Sequence, residues 1–148
     1  MWAVRIASLV GVIHAAFSLY WALGGTWLLD TVGQGPQDFV KSGPLSASLV
    51  LGLIALFKAL AAVIPLLNAQ GRLPWPKLWR GISWVGGVFL VLYGGFVTLT
   101  SLAVLGGLVN SGAYDRPAML GHAFLWDPLF LMWGVALVWH LWQTRRNA

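Results

Sequence analysis

GISWVGGVFLVLYGGFVTLTSLAVLGGL, residues 81–108, runs for 28 residues without a charged side chain. A hydrocarbon layer about 30 Å thick needs roughly 20 apolar residues of helix to cross it, and this run exceeds that. Working outward, Ala3 to Gly24 and Leu45 to Leu67 meet the same length. A fourth run, Leu129 to Trp142, is shorter. Asp127 and Pro128 in front of it have the chemistry of a helix N-cap and a first-turn proline, and a helix begun there is only about 22 Å long. Either the membrane thins around it, or the helix begins near Pro117 and kinks at Pro128, whose missing N–H frees a carbonyl one turn earlier. The sequence thus predicts an all-α, integral membrane four-helix bundle. It forms a single transmembrane domain over residues 1–148, with spans at about 3–24, 45–67, 81–108 and 118/128–142.

Composition agrees. The chain is 59% hydrophobic and 9% charged, where a soluble domain carries about 25% charged residues, so a water-facing surface cannot be built from it. Ten Trp and eighteen Gly point the same way, because Trp collects at membrane interfaces and Gly is frequent in membrane helices. The net charge of +5 does not indicate nucleic acid, since the cations flank apolar runs instead of clustering on a soluble face. With no cysteine in the chain, disulfides, thiolate metal sites and cysteine nucleophiles are excluded. The first apolar run is longer than a secretory signal core and has no A-x-A-like site before Asp30, so it is read as a retained span.

Lys and Arg near span ends mark the cytoplasmic side. Arg5, Arg72, Lys77, Arg80, Arg145 and Arg146 fall on one side of a four-span chain, against Lys41 and Arg116 on the other. The four acids, Asp30, Asp38, Asp115 and Asp127, all lie in the first and third connections. Both termini are therefore predicted to be cytoplasmic. The aromatic belts agree: Trp2, Trp75, Trp79, Trp139 and Trp142 sit at the cytoplasmic ends and Trp21, Trp27 and Trp126 at the outer ends.

Lipid gives no hydrophobic drive for helix association, so close approach through small residues must supply the contact. Ser8, Gly11, Ala15 and Ser18 share one face of the first helix. Ser48, Gly52, Ala55, Ala59 and Ala62 do so in the second, and Ser83, Gly87, Gly94, Thr98 and Ser101 in the third.

Ionisable groups inside a span are costly, about 3 kcal/mol for a central Lys on insertion scales, and each is a functional candidate. His14, Lys58 and Tyr93 lie near the midpoints of three different spans, so their tips are able to meet in a midplane pocket. Simpler readings stand beside this one. Lys58 can snorkel to the cytoplasmic boundary about 10 Å away, and unchanged stability of Lys58→Met would favour that. His14 can bond to a backbone carbonyl or to Ser18, and Tyr93 can pack as an ordinary aromatic. His14, His122 and His140 belong to three depths, so neither a bis-histidine haem nor a zinc site is available within one chain. No metal or cofactor is expected. At the outer end His122, Asp127, Asp115 and Arg116 form a polar cluster. A His held by a carboxylate can act as acid or base, although a cap and loop ion pairs explain the same residues.

Two blocks carry a family resemblance. The first is His14-Ala-Ala-Phe-Ser-Leu-Tyr20-Trp21-Ala22-Leu23-Gly24-Gly25-Thr-Trp27. The second is Tyr114-Asp115-Arg116-Pro117, then Gly121-His122-Ala123-Phe124-Leu125-Trp126-Asp127-Pro128-Leu129-Phe130, then Trp133-Gly134. They resemble the bacterial membrane family known as domain of unknown function 3995, and with four spans in order the likeness covers nearly the whole chain. The resemblance implies a multi-pass protein of the bacterial plasma (inner) membrane. It carries no activity with it, but it directs attention to His14, Tyr20 and Trp21 on the first helix and to His122, Trp126, Asp127 and Pro128 at the fourth. Gly24 and Gly25 would let the chain leave the first helix tightly and pass close to the fourth.

The leading expectation is a non-enzymatic membrane protein that binds a lipid, a hydrophobic small molecule or a partner subunit at its outer end. His14, Tyr20, Trp21, Lys58, Tyr93 and Trp126 are the candidate binding residues; apolar walls with few polar groups suit such a ligand. The alternatives are a membrane enzyme using His122 or His14 as acid or base with Asp127 as orienting carboxylate, and a transporter or channel subunit with Lys58 and His14 along its path. Four spans would need to oligomerise for transport.

Overall fold

The computed structural model describes residues 1–109 and 112–145. Arg146, counted above among the tail cations, lies outside the described residues. Every regular element among the described residues is helical, and four helices are long and apolar enough to cross a membrane. The elements in order are α1 (Trp2–Ala22), a short 3₁₀ turn (Leu29–Val32), α2 (Gln34–Ser42), α3 (Pro44–Ala69), α4 (Pro76–Leu105), α5 (Arg116–Gly121), a π-helical turn (His122–Trp126) and α6 (Asp127–Gln143).

Local chemistry sets the boundaries. Prolines open α3 and α4, at first-turn positions where the missing N–H would have had no partner anyway. Gly71 (φ +70°) and Gly107 (φ +70°) end them in left-handed backbone. After α3 the amide of Arg72 returns to the Leu67 carbonyl and that of Gly71 to the Asn68 carbonyl, both at 3.0 Å, which satisfies carbonyls that the helix end leaves open.

The fourth long helix corrects the sequence reading at Asp127. Asp127 is not an N-cap; its backbone is helical within a rod that starts at Arg116 and continues to Gln143. The cap is Asp115, whose Oδ1 accepts from the Ala118 amide at 3.2 Å, with Pro117 in the first turn. Of the two readings left open, the earlier start is the observed one. The helix passes Pro128 by widening into a π turn over residues 122–126. Proline removes a donor and crowds the carbonyl four residues back; an extra residue in the preceding turn is one way to accommodate both.

In the bundle α1 packs against α3 and against the last helix, and the last helix packs against α4, while α3 and α4 barely touch. The order in space is therefore α3, α1, α5–α6, α4, with the chain's first and last helices in the middle. The inner faces are small or polar: Ser8, Gly11, Ala15 and Ser18 of α1, and Ser83, Gly87, Gly94 and Ser101 of α4, are all buried. Large apolar side chains such as Phe57, Leu92 and Phe96 point outward, the inverse of a soluble protein and the arrangement that lipid solvation requires. The apolar core falls into two clusters: Trp21, Leu29 and Trp126 at one end, and Ala7, Val10, Ala62, Trp133, Leu137 and Leu141 packed together toward the end that carries the N-terminus of α1 and the C-terminus of α6. That end is called here the terminal end, and the other the loop end.

Candidate functional site

Of the three midspan candidates, two meet directly. The Lys58 ammonium, carried by α3, lies 3.1 Å from Nδ1 of His14 and donates to Ser18 Oγ at 3.0 Å. Ser18 Oγ in turn donates to the His14 carbonyl one turn earlier at 3.4 Å. The spacing of 14 and 18 puts both on the α1 face toward α3, so the amine is held by two groups of one helix. Lys58 therefore does not snorkel out of the bundle. The His14 ring stacks on Phe130 of α6, with centroids 3.9 Å apart and planes at 27°. Its Nε2 is buried and makes no hydrogen bond.

Tyr93 joins the same assembly from α4 without touching His14 or Lys58. Its ring meets the edge of Phe130 at 5.8 Å, while Lys58 Nζ lies 5.3 Å above the Phe130 centroid. Phe130 is thus the hub, with an amine from α3 on one flank and a phenol from α4 on the other. Tyr93 is 43% exposed and Lys58 is half-buried. Among the described residues no carboxylate pairs with Lys58; the ion pair present is elsewhere.

That ion pair joins His122 Nδ1 to Asp127 Oδ2 at 2.6 Å, spanning the π turn. Asp127 is 1% exposed. The imidazole also faces the backbone of Val32 in the first connection. Beside it the Trp126 Nε1 donates to Thr31 Oγ1 at 2.9 Å, and Thr31 Oγ1 donates to the Leu28 carbonyl at 2.6 Å. Gly121 lies against Thr31 so closely that a Cβ there would strike the Thr31 backbone. The chain leaves α1 through a tight turn at Gly24 (φ +90°) and meets the fourth long helix at Thr31. Gly25 instead sits under the ring of Tyr20.

Trp21 and Trp126 are fully packed. Trp21 Nε1 donates to the Trp27 carbonyl at 3.0 Å, and the Tyr20 hydroxyl accepts from the Trp27 amide at 3.4 Å. The Trp21 and Trp126 rings meet edge to face at 5.1 Å, with Phe17 against both. These aromatics close the loop end, and their N–H groups are spent internally. Asp115 and Arg116, grouped with His122 and Asp127 from sequence, line a separate cavity of about 630 Å³ with Asp30, Gln37 and Tyr114. His140, the third histidine, is buried at the terminal end within electrostatic reach of Arg80. Among the described residues no three His, Asp or Glu side chains converge to hold a metal ion.

Sequence reasoning did not single out Phe130, Thr31 or the Arg80–Thr144 contact (Nη1 to Oγ1, 2.9 Å). Phe130 carries no polar atom to draw notice, and Thr31 lies in a connection without periodicity. Their roles come from packing across 95 residues of chain in the case of Thr31 and Trp126.

No curated protein and no solved structure gives a match to this chain. Residues 11–137, which include His14, Lys58, Tyr93, His122 and Asp127, match the family described as protein of unknown function (DUF3995), and the chain belongs to that family.

Proposed function

We propose that this is a multi-pass protein of the bacterial inner membrane with both termini cytoplasmic, and that it binds a lipid or hydrophobic small molecule bearing an acidic group. The acidic group sits against Lys58, in the space flanked by Lys58, Phe130 and Tyr93. The observation that carries the reading is an amine inside a span whose hydrogen-bond partners, His14 Nδ1 and Ser18 Oγ, include no carboxylate. A lysine at that depth costs about 3 kcal/mol or more without a counter-charge, and an acidic headgroup would supply one through a charge-assisted bond. The apolar outer faces of α3 and α4 suit the rest of such a ligand. This lies deeper than the loop-end aromatics, whose packed and internally bonded indoles leave little for a ligand to engage.

A brominated long-chain carboxylic acid tests the reading by quenching tryptophan fluorescence. Quenching of the detergent-solubilised protein is expected to saturate, with half-saturation about tenfold higher or more in Lys58→Met, from loss of a charge-assisted bond. Tyr93→Phe should shift it less, and Lys58→Arg should keep most of the affinity. Equal titrations for the native protein and Lys58→Met would sink the proposal. The topology is tested separately: a fusion at Ala148 to a reporter active only outside the cytoplasm should stay silent, and activity there would overturn the orientation.

The distance of 2.6 Å between His122 and Asp127 favours the acid-base alternative as a second reading. A transport path along Lys58 and His14 would need further copies of the chain, and water continuity past Lys58 would be its signature.

A further inference from the structure

A cavity of about 440 Å³ opens at the terminal end among α1, α3, α4 and α6, lined in part by Asn68, Lys77, Arg80, His140 and Thr144. Its charged side chains are all basic. The four carboxylate side chains of the chain lie elsewhere: Asp30 and Asp115 line the loop-end cavity, Asp127 is paired with His122, and Asp38 is on α2. Arg80 is fixed in place, Nη1 on Thr144 Oγ1 at 2.9 Å and Nη2 on the Leu141 carbonyl at the end of α6. Its guanidinium still has three N–H groups beyond those two bonds. A planar guanidinium beside a flexible ammonium is a pairing suited to a phosphate, which the first can bind through two oxygens and the second as a point charge.

A second observation says what carries the phosphate. Lys77 also heads a shallow groove of about 600 Å³ along α4, formed by Leu78, Gly81, Ile82, Val85 and Gly86. These positions repeat at three- and four-residue spacing and so form one stripe. Gly81 and Gly86 have nothing within 4 Å of where a Cβ would be, leaving a furrow with apolar walls. A basic pocket sharing a lysine with an apolar furrow matches a headgroup joined to an acyl chain. Trp75 and Trp142 are exposed at this end, as at a headgroup boundary.

We infer that the terminal end binds an anionic phospholipid, its phosphate in the cavity against Lys77 and Arg80 and one acyl chain along the α4 furrow. The site is independent of Lys58. Full-length protein in detergent micelles doped with phosphatidylglycerol or phosphatidylcholine is examined by native mass spectrometry for retained lipid. Phosphatidylglycerol should be retained in preference. Lys77→Gln, at an exposed position that leaves folding intact, should lower retention about fivefold, the worth of one cation near a lipid surface. Gly86→Leu, which fills the furrow and spares the cavity, should also lower it, and Arg80→Lys should retain more lipid than Arg80→Gln. Millimolar glycerol phosphate should displace little of the lipid. Equal retention of the two lipids, or no effect of Lys77→Gln, would overturn the proposal. So would glycerol phosphate binding that depends on Lys77 while Gly86→Leu changes nothing, because the ligand would then be a free phosphate.

Discussion

Gly94→Val is expected to pry α4 from the last helix and to destabilise the fold by about 2 to 3 kcal/mol. A Cβ at Gly94 would stand 2.6 Å from the Leu131 amide nitrogen and 2.8 Å from the Asp127 carbonyl oxygen. Both are backbone atoms of a helix, which cannot rotate aside as a side-chain tip can. The contact is reciprocal, since a Cβ at Gly134 would lie 2.7 Å from the Val91 nitrogen and 2.9 Å from the Gly87 oxygen. Gly134→Val should therefore behave alike. Gly52, with nothing within 4 Å of a Cβ, is the control, and Gly52→Ala should hold or gain about 0.5 to 1 kcal/mol from helix propensity. Thermal unfolding in detergent followed by circular dichroism reads all three. A Gly94→Val protein as stable as Gly52→Ala would mean that the two helices are not in backbone contact.

Asp127→Ala is the second change with a large expected effect, about 2 to 3 kcal/mol. Removing one partner of a buried ion pair costs about 3 to 5 kcal/mol, and the lower range applies because the His122 side chain is 27% exposed and solvent screens it. Asp127→Asn should cost less, because the amide oxygen can still accept from the ring. A double-mutant cycle with His122→Ala should show a coupling of about 1 to 3 kcal/mol. The local signature is loss of the tie to the first connection, so protease nicking between Leu23 and Gly33 should rise in parallel. Additive single mutants with an unchanged cleavage pattern would show that the two side chains do not act as a pair.

The all-helical fold with four long apolar helices was legible in the sequence, because runs such as Gly81 to Leu108 are uncharged and longer than a membrane crossing needs. The small-residue seams of α1 and α4 were legible as well: Ser83, Gly87, Gly94 and Ser101 recur at helical spacing and are buried, whereas in the seam expected on α3 Ala55 and Ala62 are buried but Gly52 faces open space. Meeting of the midspan residues was legible only as depth. Position along each helix put His14 and Lys58 at one level, but which faces turned toward each other depended on helix rotation, which apolar periodicity fixes weakly when every face is apolar. The start of the fourth helix was misread at Asp127 for a local reason. Asp-Pro before an apolar run has cap chemistry, and a π turn that lets a helix run through it leaves no simple compositional mark.

The spatial order α3, α1, α5–α6, α4 also bears on how the polypeptide is made. Synthesis delivers the amino-terminal half first, and α1 with α3 already contains Lys58, His14 and Ser18. On the proposed membrane placement a lone ammonium would be costly, but the hydrogen-bonding neighbours of this one, His14 and Ser18, are made before it on α1. The helices made later carry Phe130 over the histidine, so in the order of synthesis polar quenching comes before aromatic sealing.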